Sequence, residues 1–208
     1  MSHHLTLLRH GESVANRAAV VQGQMDSPLS DLGRKQAEGV AREWLSEGLL
    51  FDQVITSPLL PARETAEVIA TRLGLHLELE PSWMERDFGS GQGLSIEAFQ
   101  DRLGPKPPLP FAPVFGNGEG AWDLYLRVAR AVQAVVRRPP GCYLIVSHGA
   151  LLNAALRAML GLAPTPGRAP RFTFANGGHA HLEMDDEGAW TLHALTNPLA
   201  SAADDSGT

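Results

Sequence analysis

The sequence predicts an α/β fold around a mostly parallel sheet with one antiparallel strand, on two observations. Short β-like runs alternate with longer stretches of helical periodicity, as in a parallel sheet with crossover helices. Late in the chain two such runs flank the turn-like Asp185-Asp186-Glu187-Gly188 and read as a hairpin, which adds the antiparallel strand.

The strands expected are Leu5–Leu8, Phe51–Thr56, the alternating Leu75–Leu79, Tyr143–Val146, Ala180–Met184 and Trp190–Leu195. Between them, Ser30 can cap a helix over Asp31–Leu45 whose apolar stripe includes Leu32, Ala37, Val40, Ala41 and Trp44. Ser57, with Pro58 at the first helical position, is expected to cap a second helix running through Ala66, Ile69, Ala70 and Leu73. Ala121–Val136 is a third, and Leu151–Leu160 a fourth, stopped by Gly161. The proline-rich Gly104–Pro113 reads as a surface excursion, and 104–120 as a lid-like insertion over a site. Residues 1–197 are expected to form one domain, and 198–208, small, polar and acidic, a disordered tail.

Composition narrows the function classes. The 208 residues suit one ordinary domain, and 44% hydrophobic content with 19% charged residues is globular. A net charge of −6 argues against nucleic acid as a partner, which would call for a broad basic face. Only Lys35 and Lys106 are lysines, so any anion site must be built from arginine, the better bidentate phosphate ligand. The lone Cys142 excludes an intrachain disulfide and a cysteine-rich zinc site, and reads as an inert buried thiol. No apolar run suits a membrane span or a signal peptide, so a soluble cytoplasmic protein is expected.

Three of the runs end in polar clusters: Arg9-His10-Gly11, Ser57, and Ser147-His148-Gly149. If those strands are parallel, the clusters meet at one sheet edge, the mouth where open α/β sheets bind ligands. An arginine beside an imidazole suits holding a phosphoryl group and attacking it. Two other features carry less. Gly89-Ser90-Gly91-Gln92-Gly93 lacks the Lys-Ser/Thr of a phosphate cradle and reads as a loop. His179 and His181 share a strand face but have no carboxylate or cysteine at ligand spacing, so they read as paired surface or core histidines and no metal is expected.

The first motif extends as Leu8-Arg9-His10-Gly11-Glu12-Ser13-Val14-Ala15-Asn16, followed by Gln22-Gly23 through Ser30 and Gly33-Arg34-Lys35-Gln36-Ala37. Ser57-Pro58 with Glu64-Thr65-Ala66, Glu85-Arg86-Asp87-Phe88-Gly89, Ser147-His148-Gly149 and, more weakly, Asn176-Gly177-Gly178 complete the series. Together these blocks resemble the histidine phosphatase superfamily, in its phosphoglycerate-mutase-like branch, over nearly the whole chain. The resemblance implies a three-layer α/β/α sandwich and a phosphohistidine intermediate formed without metal or cofactor. It implies His10 as nucleophile, Arg9 and His148 as ligands of the equatorial oxygens, and Glu85 as the acid and base. Asn16, Gln22, Gly23, Gly149, Arg86 and Asn176 are the implied substrate-binding positions.

The sequence departs from the family at one position. Members usually carry a second phosphate-binding arginine four residues after the serine corresponding to Ser57, and here that residue is Pro61. Arg63 lies two residues on, about 200° round a helix axis, and is better placed to pair with Glu67. A shifted helix start that swings Arg63 inward, or Arg86, are two conceivable substitutes.

The first reading is a phosphomonoesterase acting on a small soluble phosphate ester, with a homodimer considered as its assembly. The second is a phosphoglycerate mutase, disfavoured because Lys106 is the only basic residue between Leu103 and Leu126. The third is a low-activity phosphate-binding module, weakened by the loss at Pro61. Retention of Glu85 argues against this last reading, since a pure binder has no use for it.

Overall fold

A computed structural model describes residues 2–105, 109–165 and 170–198. The expected tail therefore lies outside the described residues apart from Pro198, as do Lys106, Pro107 and Pro108 of the insertion.

Six strands form one sheet: β1 (His3–Arg9), β2 (Gln53–Thr56), β3 (Leu77–Leu79), β4 (Cys142–Ser147), β5 (His179–Met184) and β6 (Trp190–Thr196). Their spatial order is β3-β2-β4-β1-β5-β6. The first four are parallel, and β5 runs against both β1 and β6. The antiparallel strand expected from the hairpin is thus β5, and β6 returns to the common direction.

Helices cover both faces. On one side lie α2 (Asp31–Glu47) and α3 (Leu60–Leu73), on the other α5 (Ala121–Val136) and α6 (Gly149–Met159); α1 (Val14–Arg17) and α4 (Ile96–Leu103) are short peripheral pieces that periodicity did not predict. Alternation along the strands feeds two cores. Leu5, Leu7 and Ile145 pack with Val128, Leu152 and Leu156 under α5 and α6. Leu8, Leu144 and Val146 pack with Ala41, Trp44 and Ile69 under α2 and α3. Each fully buried leucine or isoleucine contributes roughly 1.5–3 kcal/mol, so these layers fix the sheet on which the site stands.

Ser30 caps α2 through Gly33 N, and Gly48 ends it in the left-handed region. The helix after β2 departs from expectation. It begins at Leu60 with Leu59 at the cap and no side-chain capping bond. Ser57 Oγ instead accepts from Leu59 N (3.2 Å) and lies 2.8 Å from His148 Nε2. The Ser-Pro pair reads equally well as a cap or as a strand exit, and a contact with a residue 91 positions away decides the matter.

His179 and His181 pack edge-on against Trp44 on the α2 face. Cys142 is a free, half-buried thiol that burial pushes up, which suits its reading as inert. Among the described residues, no helix is long and apolar enough to cross a membrane.

Candidate active site

Parallel pairing sets Arg9 opposite Ser147 and Thr56 opposite Val146, so the three polar clusters do leave the sheet at one edge. There His10, Arg9, Asn16, Gln22, Gly23, Glu85 and His148 line a cavity of about 180 Å³, with Pro61 in its wall. Val20, Val21, Met25, Leu59, Phe88 and Ile96 supply its apolar cover. The described residues of 104–120 do not line it; Phe115 packs against Phe99, and Phe111 stacks on Trp122. A groove of about 720 Å³ between α2 and α3 is larger, but Glu38, Arg42, Glu67 and Arg72 line it and no strand end reaches it.

His10 is 3% exposed, and its Nδ1 lies 2.7 Å from the Gly11 carbonyl oxygen. A carbonyl only accepts, so Nδ1 carries the proton and Nε2 the lone pair. Burial, then the Arg9 charge, lowers its pKa to about 3, which keeps the ring neutral near pH 7. His148 stands edge-on to it with ring centroids 5.1 Å apart. Burial, then His10 and Arg9, also hold His148 well below the usual histidine range.

Arg9 is the only arginine among the described residues lining this cavity. It donates from Nη1 to the Phe174 carbonyl at 2.7 Å, while its buried Nε has no hydrogen-bond partner among the described residues. Burial lowers its pKa, opposed by the Glu85 charge. An orphaned guanidinium donor beside a neutral imidazole is a ready anion ligand.

Glu85 completes the opposite side. Its Oε1 accepts from Arg86 N (2.8 Å) and Leu151 N (2.9 Å), and its Oε2 from Ala150 N (3.1 Å). It thereby satisfies amides of the first turn of α6, the helix that follows Ser147-His148. Burial raises its pKa, while those amides and Arg9 pull it down, and the net direction is upward. The carboxyl is therefore poised nearer to its protonated form than an exposed glutamate.

Local architecture explains several of the sequence blocks. A Cβ on Gly11 would collide with the Gly33 carbonyl oxygen, so the loop after β1 can lie on α2 only as glycine. Thr65 Oγ1 accepts from Gly11 N (3.0 Å) while donating to the Pro61 carbonyl (2.7 Å), and Glu64 Oε2 accepts from Leu29 N (2.8 Å). Gly23 has φ +56°, and a side chain there would strike Gln92.

Arg63 stands where its helical position put it: its Nε meets Glu67 Oε1 at 2.8 Å on the exposed face of α3, and it does not turn inward. Two other expectations need correction. Asn176 does not line the cavity, because its Nδ2 is committed to the His10 carbonyl and to Asn16 Oδ1, both at 3.1 Å. That bond, with a second from Ser13 N (3.2 Å), holds the Asn16 oxygen and leaves its NH₂ to offer. Arg86 and Gly149 line an adjoining cavity that shares Arg9, so Arg86 does not replace the arginine absent at Pro61.

Sequence reasoning missed Arg127. From within α5 it donates to the carbonyls of Ser82 (2.9 Å), Met84 (2.8 Å) and Glu85 (3.3 Å), bracing the segment that carries Glu85. Ser147 Oγ donates to the Trp83 carbonyl (2.7 Å) in the same bracing.

A family model described as histidine phosphatase superfamily (branch 1) matches residues 5–198. The chain belongs to that superfamily. Curated relatives include "Probable phosphoglycerate mutase GpmB" of Yersinia enterocolitica, 34% identical over 76% of this chain and 75% of that one. The protein of the same name from Photorhabdus laumondii is 36% identical over 75% and 74%. Among solved structures, Bacillus stearothermophilus YhfR superposes with a TM-score of 0.79 at 27% identity, covering 92% of this chain and 96% of that one. A mycobacterial glucosyl-3-phosphoglycerate phosphatase does so with 0.76 at 26% identity, covering 95% and 100%. The histidine phosphatase fold and a phosphatase- or mutase-type enzyme are thereby assigned to the chain.

Proposed function

We propose that this histidine phosphatase is a phosphomonoesterase that hydrolyses a small soluble phosphate ester through a phosphohistidine on His10. The observation that carries the reading is the fixed tautomer of His10, whose Nδ1 proton is held by the Gly11 carbonyl in a buried, arginine-flanked cavity.

Nε2 attacks phosphorus, the bond from phosphorus to the ester oxygen breaks, and its electron pair leaves on that oxygen, which takes the proton of Glu85. The phosphorylated ring keeps its Nδ1 proton and becomes cationic, which strengthens the bond to Gly11 O. Arg9 Nε and the amide NH₂ of Asn16 receive the equatorial oxygens, and the incoming dianion favours a protonated His148 beside it. Water then attacks, Glu85 takes its proton, and the electron pair of the breaking N–P bond returns to Nε2. None of these steps calls on a metal or cofactor.

The experiment is turnover of a generic phosphate ester by the wild type and by His10→Ala. Activity abolished by the substitution supports the reading; activity that survives it overturns the reading. The names of the curated relatives favour a second reading, a phosphoglycerate mutase. Isomerisation of 3-phosphoglycerate that depends on added bisphosphoglycerate would select it.

A further inference from the structure

The adjoining cavity, about 490 Å³, shares Arg9 with the catalytic one. Arg86, Arg157 and Arg171 line it with Asn153 and Tyr125, and none of its described lining residues is acidic. In a chain of net charge −6 that concentration of one sign is unusual. The cations come from three separate places: Arg86 follows Glu85, Arg157 lies in the last turn of α6, and Arg171 belongs to the irregular segment leading to Phe174.

Packing holds these like charges near one another. Arg157 donates from Nη2 to the Pro170 carbonyl at 3.0 Å, which brings α6 against the Arg171 segment. Burial lowers the pKa of Arg157, and the Arg171 charge lowers it further. Arg86 donates from Nε to the Glu119 carbonyl at 2.9 Å. Burial lowers its pKa, opposed by the charges of Glu119, Glu85 and Asp123. Each of these carboxylates is engaged elsewhere, Glu119 by Arg127 at 2.8 Å, Glu85 by the amides of α6 and Asp123 by Gly120 N at 3.2 Å. Unfavourable proximity of this kind is relieved by an anion between the cations.

We propose that this cavity is a second anion site, in which Arg86, Arg157 and Arg171 receive a carboxylate or phosphate group on the leaving alcohol. The inference rests on the phosphomonoesterase reading, and the shared Arg9 is its structural basis. A substrate whose ester phosphate lies at Arg9 and His10 places its leaving group beside Glu85, next to the cavity that begins at Arg86. The preferred substrates are then phosphate esters of acids. Their second charge is read by cations outside the stretch between Leu103 and Leu126, whose poverty in basic residues disfavoured a mutase.

The test compares 4-carboxyphenyl phosphate with phenyl phosphate. Binding to full-length His10→Ala is measured by calorimetry, and kcat/KM is measured on the wild type. The carboxylated ester is expected to bind roughly tenfold or more tightly, with a similar preference in kcat/KM, as for one desolvated charge-assisted hydrogen bond. Arg171→Glu, an exposed position whose change the fold should tolerate, should remove most of that preference, and Arg157→Ala should do the same. Equal binding of the two esters, or a preference unaltered in Arg171→Glu, would overturn the proposal. Inorganic sulfate that inhibits without competing with the carboxylated ester would assign the cavity to a separate anion and also overturn it. If the wild type turns over neither ester while the binding preference persists, the phosphomonoesterase reading fails and the anion site stands.

Discussion

Arg127 and Glu119 form a two-pronged ion pair, Nε to Oε1 and Nη2 to Oε2, each at 2.8 Å. The pair fixes the guanidinium plane, so that Nη1 reaches the carbonyls of Ser82 and Met84 just before the acid Glu85. Arg127 is a positioning residue. Because a displacement of about 1 Å in a catalytic group can cost ~10²-fold, Arg127→Lys should lower kcat by roughly that factor with little change in KM. The pH profile should also shift, since the surroundings of Glu85 change; a lower rate with an unshifted profile would contradict the positioning role.

Glu85 itself can be isolated by the choice of leaving group. Nitrophenolate leaves without a proton, whereas an alkyl alcohol needs one. In Glu85→Gln, kcat/KM for an alkyl phosphate should fall by roughly 10²–10⁴, and for 4-nitrophenyl phosphate by much less. Equal losses on both esters would exclude general acid catalysis by this residue.

Stability should depend on pH through His10. Its folded pKa of about 3 lies below the ordinary value of 6.5, so the unfolded chain binds the extra proton between those limits. The stabilising contribution is therefore complete above about pH 6.5 and is lost as pH falls towards 3. His181, lowered to about 4 by burial and then by His179 and His193, acts in the same direction. Urea unfolding at pH 7.5 and pH 5 should show a loss for the wild type and a smaller one for His10→Asn. An identical loss in both proteins would contradict the assignment.

Pro61 lines the candidate catalytic cavity at the start of α3, the position at which the resemblance implies an arginine. Pro61→Arg should raise kcat/KM, by up to roughly 10²-fold if the new side chain reaches the phosphoryl oxygens. Arg63→Ala, which removes only an exposed pair with Glu67, should leave turnover unchanged. An effect of Arg63→Ala comparable to that of His148→Ala would reverse this account.

Gly11→Ala should be poorly tolerated, because the added methyl meets the Gly33 carbonyl oxygen of α2. Overpacking of this kind costs about 1–3 kcal/mol, read as a lower urea midpoint at unchanged slope. An unchanged midpoint would show that the loop after β1 has room to move.

Much of this architecture was legible in the sequence because it rests on local pattern. Leu5–Leu8 and Tyr143–Val146 announce buried strands, and their polar exits mark the mouth of the site. Contacts over long separations were not legible. Ser57 resembles a helix cap until His148 is found beside it. Asn176 carries the right side chain for substrate, but its NH₂ is spent on His10 and Asn16. Arg127 is one basic residue on an amphipathic helix, and no sequence signal separates it from a solvated arginine such as Arg130. Arg157 and Arg171 fall outside every motif, and only the packing of α6 against the segment at Pro170 brings them to one cavity.

The most direct test of the account is a search for the phosphoenzyme. Glu85→Gln is mixed with 4-nitrophenyl phosphate, quenched with alkali, and examined by peptide mass spectrometry and phosphorus NMR. On the proposed mechanism the variant lacks the base that activates water, so an acid-labile phosphate should accumulate on His10, attached at Nε2, and should be absent from the Glu85→Gln/His10→Asn double variant. Nitrophenolate released by the wild type, with no phosphate found on His10 of Glu85→Gln and with His10→Asn still active, would contradict it.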